Sequence, residues 1–276
     1  MSHNQNKKVV EYYTSLRSFY DTIFEESGYY NLGWLPKGSK GDYTDGQRTL
    51  VSKITEPLQG CEGGRILDIG CGQGAPAEQA AKETGAEVVG LELVASQLAV
   101  CRPRKSDTLS FVQGDAAILP FANNSFDGIY SIESAFHYQD KSAFITEVAR
   151  VLKPGGYFSL ADIVTSSDRD NPPGLKSMAR IAAAETFFSA GKYIAAAERV
   201  GLTLTKSEDI SSGITHSFQK TAWRTLKYWK KLRREFPAWK LCGVVVISWT
   251  HPFFYRWLPV KYQWMVFRKA TKQHSS

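Results

Sequence analysis

At 276 residues, 43% hydrophobic and 22% charged, the chain can bury one sizeable core, and no Ser/Gly/Pro-rich linker, internal repeat or low-complexity run divides it into independent domains. The net charge of +7 is lopsided: from Ser217 to Ser276 thirteen basic residues meet one acid, Glu235, a surplus of 12 that leaves −5 for the first 216 residues. The polar opening through Lys8 is unlike a signal peptide, the apolar stretch Leu241 to Trp249 is far shorter than the about 20 residues that span a bilayer, and Cys61, Cys71, Cys101 and Cys242 lack C-x-x-C spacing, so free thiols in a cytoplasmic setting are expected.

In chain order, Tyr12-Tyr13 through Phe19-Tyr20-Asp21 reads as an amphipathic helix, followed by the loop Tyr29-Tyr30-Asn31-Leu32-Gly33-Trp34. Arg65 to Ile69 reads as a buried strand emptying into Gly70-Cys71-Gly72-Gln73-Gly74, a turn that opens a helix. Glycines there let backbone N–H groups approach a ligand closely, and the helix N-terminus presents unpaired amides, so a nucleotide-like ligand is the default occupant. The spacing is G-x-G-x-G with Asp68 two residues ahead of the first glycine, whereas a dinucleotide site would show G-x-G-x-x-G; Ala75 and Pro76 follow instead. Asp68 suits a ligand contact or a helix cap. The run Val88 to Leu91 ends in Glu92, and Phe111 to Gly114 in Asp115. A carboxylate ending an apolar run is expensive without partners, which favours a ligand role for both.

Leu119-Pro120-Phe121 and Asn123 to Asp127 form a loop before a fourth strand, Gly128 to Ile132; Asp127 reads as a turn carboxylate and Cys71 as a small space-filler. Ala143 to Leu152 has helical spacing broken by Lys153-Pro154-Gly155-Gly156, and a fifth strand, Tyr157 to Ala161, delivers Asp162. Strands alternating with helices from Ile66 to Val164 make an α/β fold, its ligands outside the carboxyl ends of a mostly parallel sheet. Beyond it, Trp223 to Arg234 alternates aromatic and basic residues by face, as a substrate lid touching membrane or as a solvated helix. Val244 to Trp249 reads as helix or strand packed on the sheet, and Val260 to Arg268 as its last, antiparallel strand.

These segments together resemble the class I S-adenosylmethionine (SAM) dependent methyltransferases, with the phrase from Glu147 to Phe158, EVARVLKPGGYF, among the most specific signatures. The resemblance implies a Rossmann-like, seven-stranded, mostly parallel sheet with helices on both faces: a helical cap over 1–60, a SAM-binding core over 61–165, and substrate-side helices, a basic aromatic segment and the last strands over 166–276. It implies SAM as cofactor; no acidic metal-binding cluster stands out in the sequence, although a prenyl diphosphate held by the basic end would bring Mg²⁺ with it. Asp68 with Gly70, Gly72 and Gly74 would hold its amino-acid end, Glu92 both ribose hydroxyls, and Asp115 with the Ala116 amide the adenine. Gln97 matches a glutamine of the sterol-methylating branch, and Ser131 of strand four joins the cofactor set.

The N-terminal helix and loop resemble those of small-molecule methyltransferases that close over the cofactor and exclude water, which implies Tyr30 and Trp34, with Tyr138, at the substrate. In the phrase Glu133-Ser134-Ala135-Phe136-His137-Tyr138, His137 is expected as a general base or acceptor-orienting group; alternatively it only hydrogen-bonds a neighbour. Glu133 would touch the cofactor or take a proton from a carbocation. Tyr29, Phe136, Phe187 and Phe188 add to an aromatic mouth suited to an isoprenoid, lipid or polyketide-like acceptor, methylated at oxygen or carbon. The sterol methylators' YEFGWG phrase is missing; Tyr30 to Trp34 only approaches it. The basic end, with Trp223, Trp229, Trp239, Trp249, Trp257 and Trp264, suits nucleic acid or a membrane surface. Lack of an N/D-P-P-Y/F or P-C motif after strand four speaks against a nucleic-acid methyltransferase and leaves peripheral membrane contact. A non-catalytic SAM-binding module is the third reading.

Overall fold

A computed structural model describes residues 2–25, 27–36, 38–166, 183–184, 186–255 and 259–271; Trp257 lies outside them. In chain order the elements are α1 (Ser2–Ile23), α2 (Tyr43–Thr55), β1 (Arg65–Ile69), α3 (Ala75–Thr84), β2 (Glu87–Glu92), α4 (Ala95–Cys101), β3 (Leu109–Gln113), β4 (Phe126–Ile132), α5 (Lys141–Val151), β5 (Leu152–Thr165), α6 (Ala190–Arg199), β6 (Leu202–Asp209), α7 (Ser211–Lys227), α8 (Trp229–Leu232), α9 (Ala238–Tyr255) and β7 (Val260–Lys269). Among the described residues the strands form one seven-stranded sheet in the order β3-β2-β1-β4-β5-β7-β6. Pairings from β3 to β5 are parallel, and β7 runs antiparallel between β5 and β6.

The central strands form where unbroken apolar runs can be buried on both faces: Ile66, Leu67 and Ile69 are fully buried. One face packs Phe144, Val148, Phe158, Tyr193 and Met265. The other packs Leu50, Val51 and Ile54 of α2 with Ala77, Tyr130 and Trp264. Helix ends follow local chemistry: Asp42 and Asp45 make a capping box at α2, Asp140 accepts from the Ala143 amide at α5, and left-handed Gly85 stops α3. Chain order reverses at β1, which lies between β2 and β4, so the crevice at the carboxyl ends of β1 and β4 is the ligand position of such sheets.

Strand five runs longer than its sequence pattern: Leu152 already pairs with Phe126, a register shift absorbs Lys153 to Gly156, and Tyr157 resumes opposite Gly128. The residues that follow the end of the helix at Val151 thus also form a bulge within the strand. Val244 to Trp249 departs further, belonging to α9, which lies along α7 and not on the sheet. Leu232 and Leu241 join Phe19, Ile23, Phe24 and Tyr43 in a separate cluster that ties α8 and α9 to the N-terminal helix. No helix among the described residues is long and apolar enough to cross a membrane.

Candidate functional site

A cavity of about 450 Å³ opens at that crevice, within the size range of cofactor pockets. Its floor is the turn between β1 and α3. Gly70 (φ +82) and Gly72 (φ +56) both take left-handed backbone, and a Cβ on Gly70 would meet the Ser134 side chain at 2.5 Å, so glycine alone fits there. The Gly70 and Cys71 amides donate to Leu91 O at 2.8 and 3.0 Å, which docks the turn on the end of β2.

Glu92, ending β2, accepts the Gly72 amide on Oε2 at 2.9 Å and the Val94 amide on Oε1 at 2.8 Å. Burial still pushes its carboxyl up to about 7. Asp68 is more confined: burial raises it to about 8, with the nearby Glu92 charge adding to the effect, and its Oδ2 has no partner. The Gln97 Oε1 and Asn31 Oδ1 acceptors are likewise buried without donors, and all three residues line the same cavity. Orphaned acceptors in one pocket call for a ligand rich in N–H and O–H donors, positively charged beside Asp68. SAM, with its ammonium, ribose hydroxyls and adenine amino group, fits that requirement. Asp115 closes one end, taking the Ala117 amide on Oδ1 at 2.9 Å and the Asn6 amide group on Oδ2 at 2.7 Å.

The opposite wall comes from the segment after β4 and from α1. Glu133 stands at φ +52, strained for a non-glycine. Its Oε1 accepts from the Leu32 amide at 2.8 Å and the Tyr262 hydroxyl at 2.7 Å, while burial raises its carboxyl to about 8. His137 is 4% exposed, and burial lowers it to about 4, so it is neutral at pH 7. Its Nδ1 lies 3.3 Å from Ala183 O, a contact only an N–H can make, which leaves Nε2 to accept the Tyr13 hydroxyl at 2.9 Å. Tyr138 reaches the Ser134 hydroxyl at 2.8 Å. The Tyr30 hydroxyl donates to Asp21 at 2.6 Å and takes a bond from the Gln73 side chain.

The cavity thus gathers Asp68, Gly70, Gly72, Glu92, Gln97, Asp115, Glu133, His137, Tyr30 and Tyr138 from the sequence reading. Gly74, Ala116, Ser131 and Trp34 stand away from its wall. Gly74 caps α3 with its α-hydrogens against Phe111; Ala116 packs in the core, and Ala117 borders the cavity in its stead. The Ser131 hydroxyl is bound to Ile69 O and Ser134. The Trp34 ring lies against Gly213 and under the Lys53 ammonium, 4.7 Å away. Tyr29, Phe136, Phe187 and Phe188 pack in the cores and not on the cavity. Conversely, Asn6, Val9 and Tyr13 line it without having been singled out. Their spacing of three and four puts them on one helix face, a signal that the surrounding polar residues obscured.

Comparison with known proteins places the chain among methyltransferases. A family model described as "Methyltransferase domain" matches residues 67–160. Methyltransferase GfsG of Streptomyces halstedii is 32% identical over 213 residues, 75% of this chain and 76% of that protein. Sterol 24-C-methyltransferase ERG6B of Gibberella zeae is 40% identical over 114 residues, 40% of this chain and 30% of the longer enzyme. A solved structure of a putative sarcosine dimethylglycine methyltransferase from Galdieria sulphuraria superposes with a TM-score of 0.84 at 19% identity, covering 94% of this chain and 98% of that one.

Proposed function

We propose, starting from the fact that the chain belongs to the class I SAM-dependent methyltransferases, that it methylates a hydroxyl oxygen on a hydrophobic small molecule of the isoprenoid, lipid or polyketide-like kind. When bound, SAM supplies the electrophilic methyl group. The observation that carries the cofactor site is the set of unpartnered acceptors on Asp68, Gln97 and Asn31 in one cavity. Asp68 holds the ammonium group, Glu92 the ribose hydroxyls through the lone pairs its two backbone contacts leave, and Asp115 the adenine. Tyr30 and Tyr138 shape the acceptor end, and α1 shuts water out.

Methylation at oxygen requires a proton to leave the acceptor, and the Tyr13–His137 pair offers the route. Tyr13 takes the acceptor's proton as its own passes to His137 Nε2, and Ala183 O steadies the resulting imidazolium through Nδ1–H. An imidazole held near pKa 4 is a weak base, but an alkylated hydroxyl is a far stronger acid than any imidazolium, so a weak base suffices. The carbon-methylating alternative rests on Glu133, whose buried carboxyl, near pKa 8 in the ligand-free fold, would have to be ionised by the cationic cofactor beside it before taking a proton from a carbocation. Incubation with methyl-labelled SAM and a host lipid extract, followed by mass spectrometry, distinguishes the two. A labelled methyl ether is expected. Label on carbon would transfer the base role to Glu133, and absence of S-adenosylhomocysteine with every extract would refute catalysis.

A further inference from the structure

Of the seven large apolar side chains exposed among the described residues, six lie on two neighbouring helices: Trp223 and Leu226 on α7, and Trp239, Val246, Ile247 and Trp249 on α9. Trp239, Val246 and Trp249 share one stripe of α9 with exposed Cys242, at spacings of three, four and three, while Leu241 and Ser248 are buried. Between Trp239 and Trp249 the helix therefore carries large apolar side chains on its outward as well as its covered side. The Trp223 and Trp249 rings meet at 5.8 Å between centroids and join the two helices into one face. Trp223 is 62% and Trp249 55% exposed, so neither is needed in a core. A contiguous apolar face of this kind marks an interaction surface.

Charge selects the occupant. Lys230, Lys231, Arg233, Arg234 and Lys240 are exposed along the connection between the helices and at the start of α9, and Glu235 is the single acid between Ser211 and Tyr255. A second copy docking through the same face would press two cationic rims together, and nucleic acid would leave the indole and aliphatic groups uncovered. We propose that the α7–α9 face docks on an anionic phospholipid bilayer, with its tryptophans at headgroup depth and its Lys and Arg side chains on lipid phosphates. Leu232 and Leu241 beneath this face pack in the cluster that Tyr30 of the cavity also touches, so the docked surface lies one layer from the acceptor end of the site.

The test is co-sedimentation of the full chain with phosphatidylcholine vesicles with and without phosphatidylglycerol, alongside tryptophan emission. Binding to the anionic vesicles, a blue shift in emission and weakening as salt rises are expected. Replacing both rings, Trp223→Ser with Trp249→Ser, should lower partition about tenfold, while calorimetric SAM affinity, which reports the intact cavity, stays at the wild-type value. The proposal is overturned if the wild type stays in the supernatant with anionic vesicles, if the double variant binds as the wild type does, or if light scattering shows a dimer that the double variant dissolves and vesicles do not compete for.

Discussion

The carboxyl groups of Asp68, Glu92 and Glu133 keep their protons in the ligand-free fold up to about pH 8, 7 and 8, whereas in an unfolded chain they lose them near 4. The folded state binds the extra protons between those values, so stability of the ligand-free protein falls as pH rises toward 8. His137 acts in the opposite sense at lower pH. It ionises near 4 when folded and about 6.5 when unfolded, so stability falls as pH drops from 6.5 through 4. Calorimetric melting of the ligand-free protein should therefore lose ground on both sides, and Asp68→Asn should flatten the alkaline side. A cationic ligand favours the ionised carboxylates, so SAM binding at pH 7 should release protons, seen as a binding heat that varies with the buffer's ionisation heat. For the proton route, Tyr13→Phe and His137→Ala should each lower kcat by roughly 10²-fold with SAM affinity nearly unchanged. Because the two act as one unit, the double variant should be little worse than either single one; multiplying losses would separate them.

At the scale of elements, the glycine turn should tolerate least. Gly70→Ala combines a left-handed φ of +82 with a 2.5 Å clash against Ser134 and should cost at least about 2 kcal/mol in chemical denaturation. Gly38→Ala, at φ +86 but with open space around it, should cost only about 1 kcal/mol. The turn, the strands and the acids that end them were legible because each is local: an apolar run, then a glycine or a carboxylate. Tyr13 facing His137 across 124 positions of chain, and Tyr262 bonding Glu133 across 129, were not. Contacts so distant in sequence depend on how α1 and β7 settle against β4, which no local spacing encodes. Trp34 misled for the same reason: its loop reaches the site through Asn31 and Leu32, while the indole turns toward α7. The outward stripe of α9 escaped as well, since a helix with apolar side chains on both sides gives no periodic sign of which one is covered.

For the molecule as a whole, saturating ligand should be visible as stability. SAM at 100 times its dissociation constant adds about 2.7 kcal/mol, roughly a 5–10 °C rise in Tm for a chain of this size. Glu92→Ala should shrink that rise by weakening charge-assisted hydrogen bonds worth roughly 1.5–3 kcal/mol each; an unchanged rise would refute its ribose role. The sheet order carries one more consequence. Because β7 pairs with both β5 and β6 and comes after them in the chain, ribosomal synthesis leaves β5 with a bare hydrogen-bonding edge, and β6 without a neighbour, until Val260 to Lys269 has emerged. Until then the nascent protein is an unfinished template for stray strands, and a stop codon ahead of Val260 would release a product prone to aggregate.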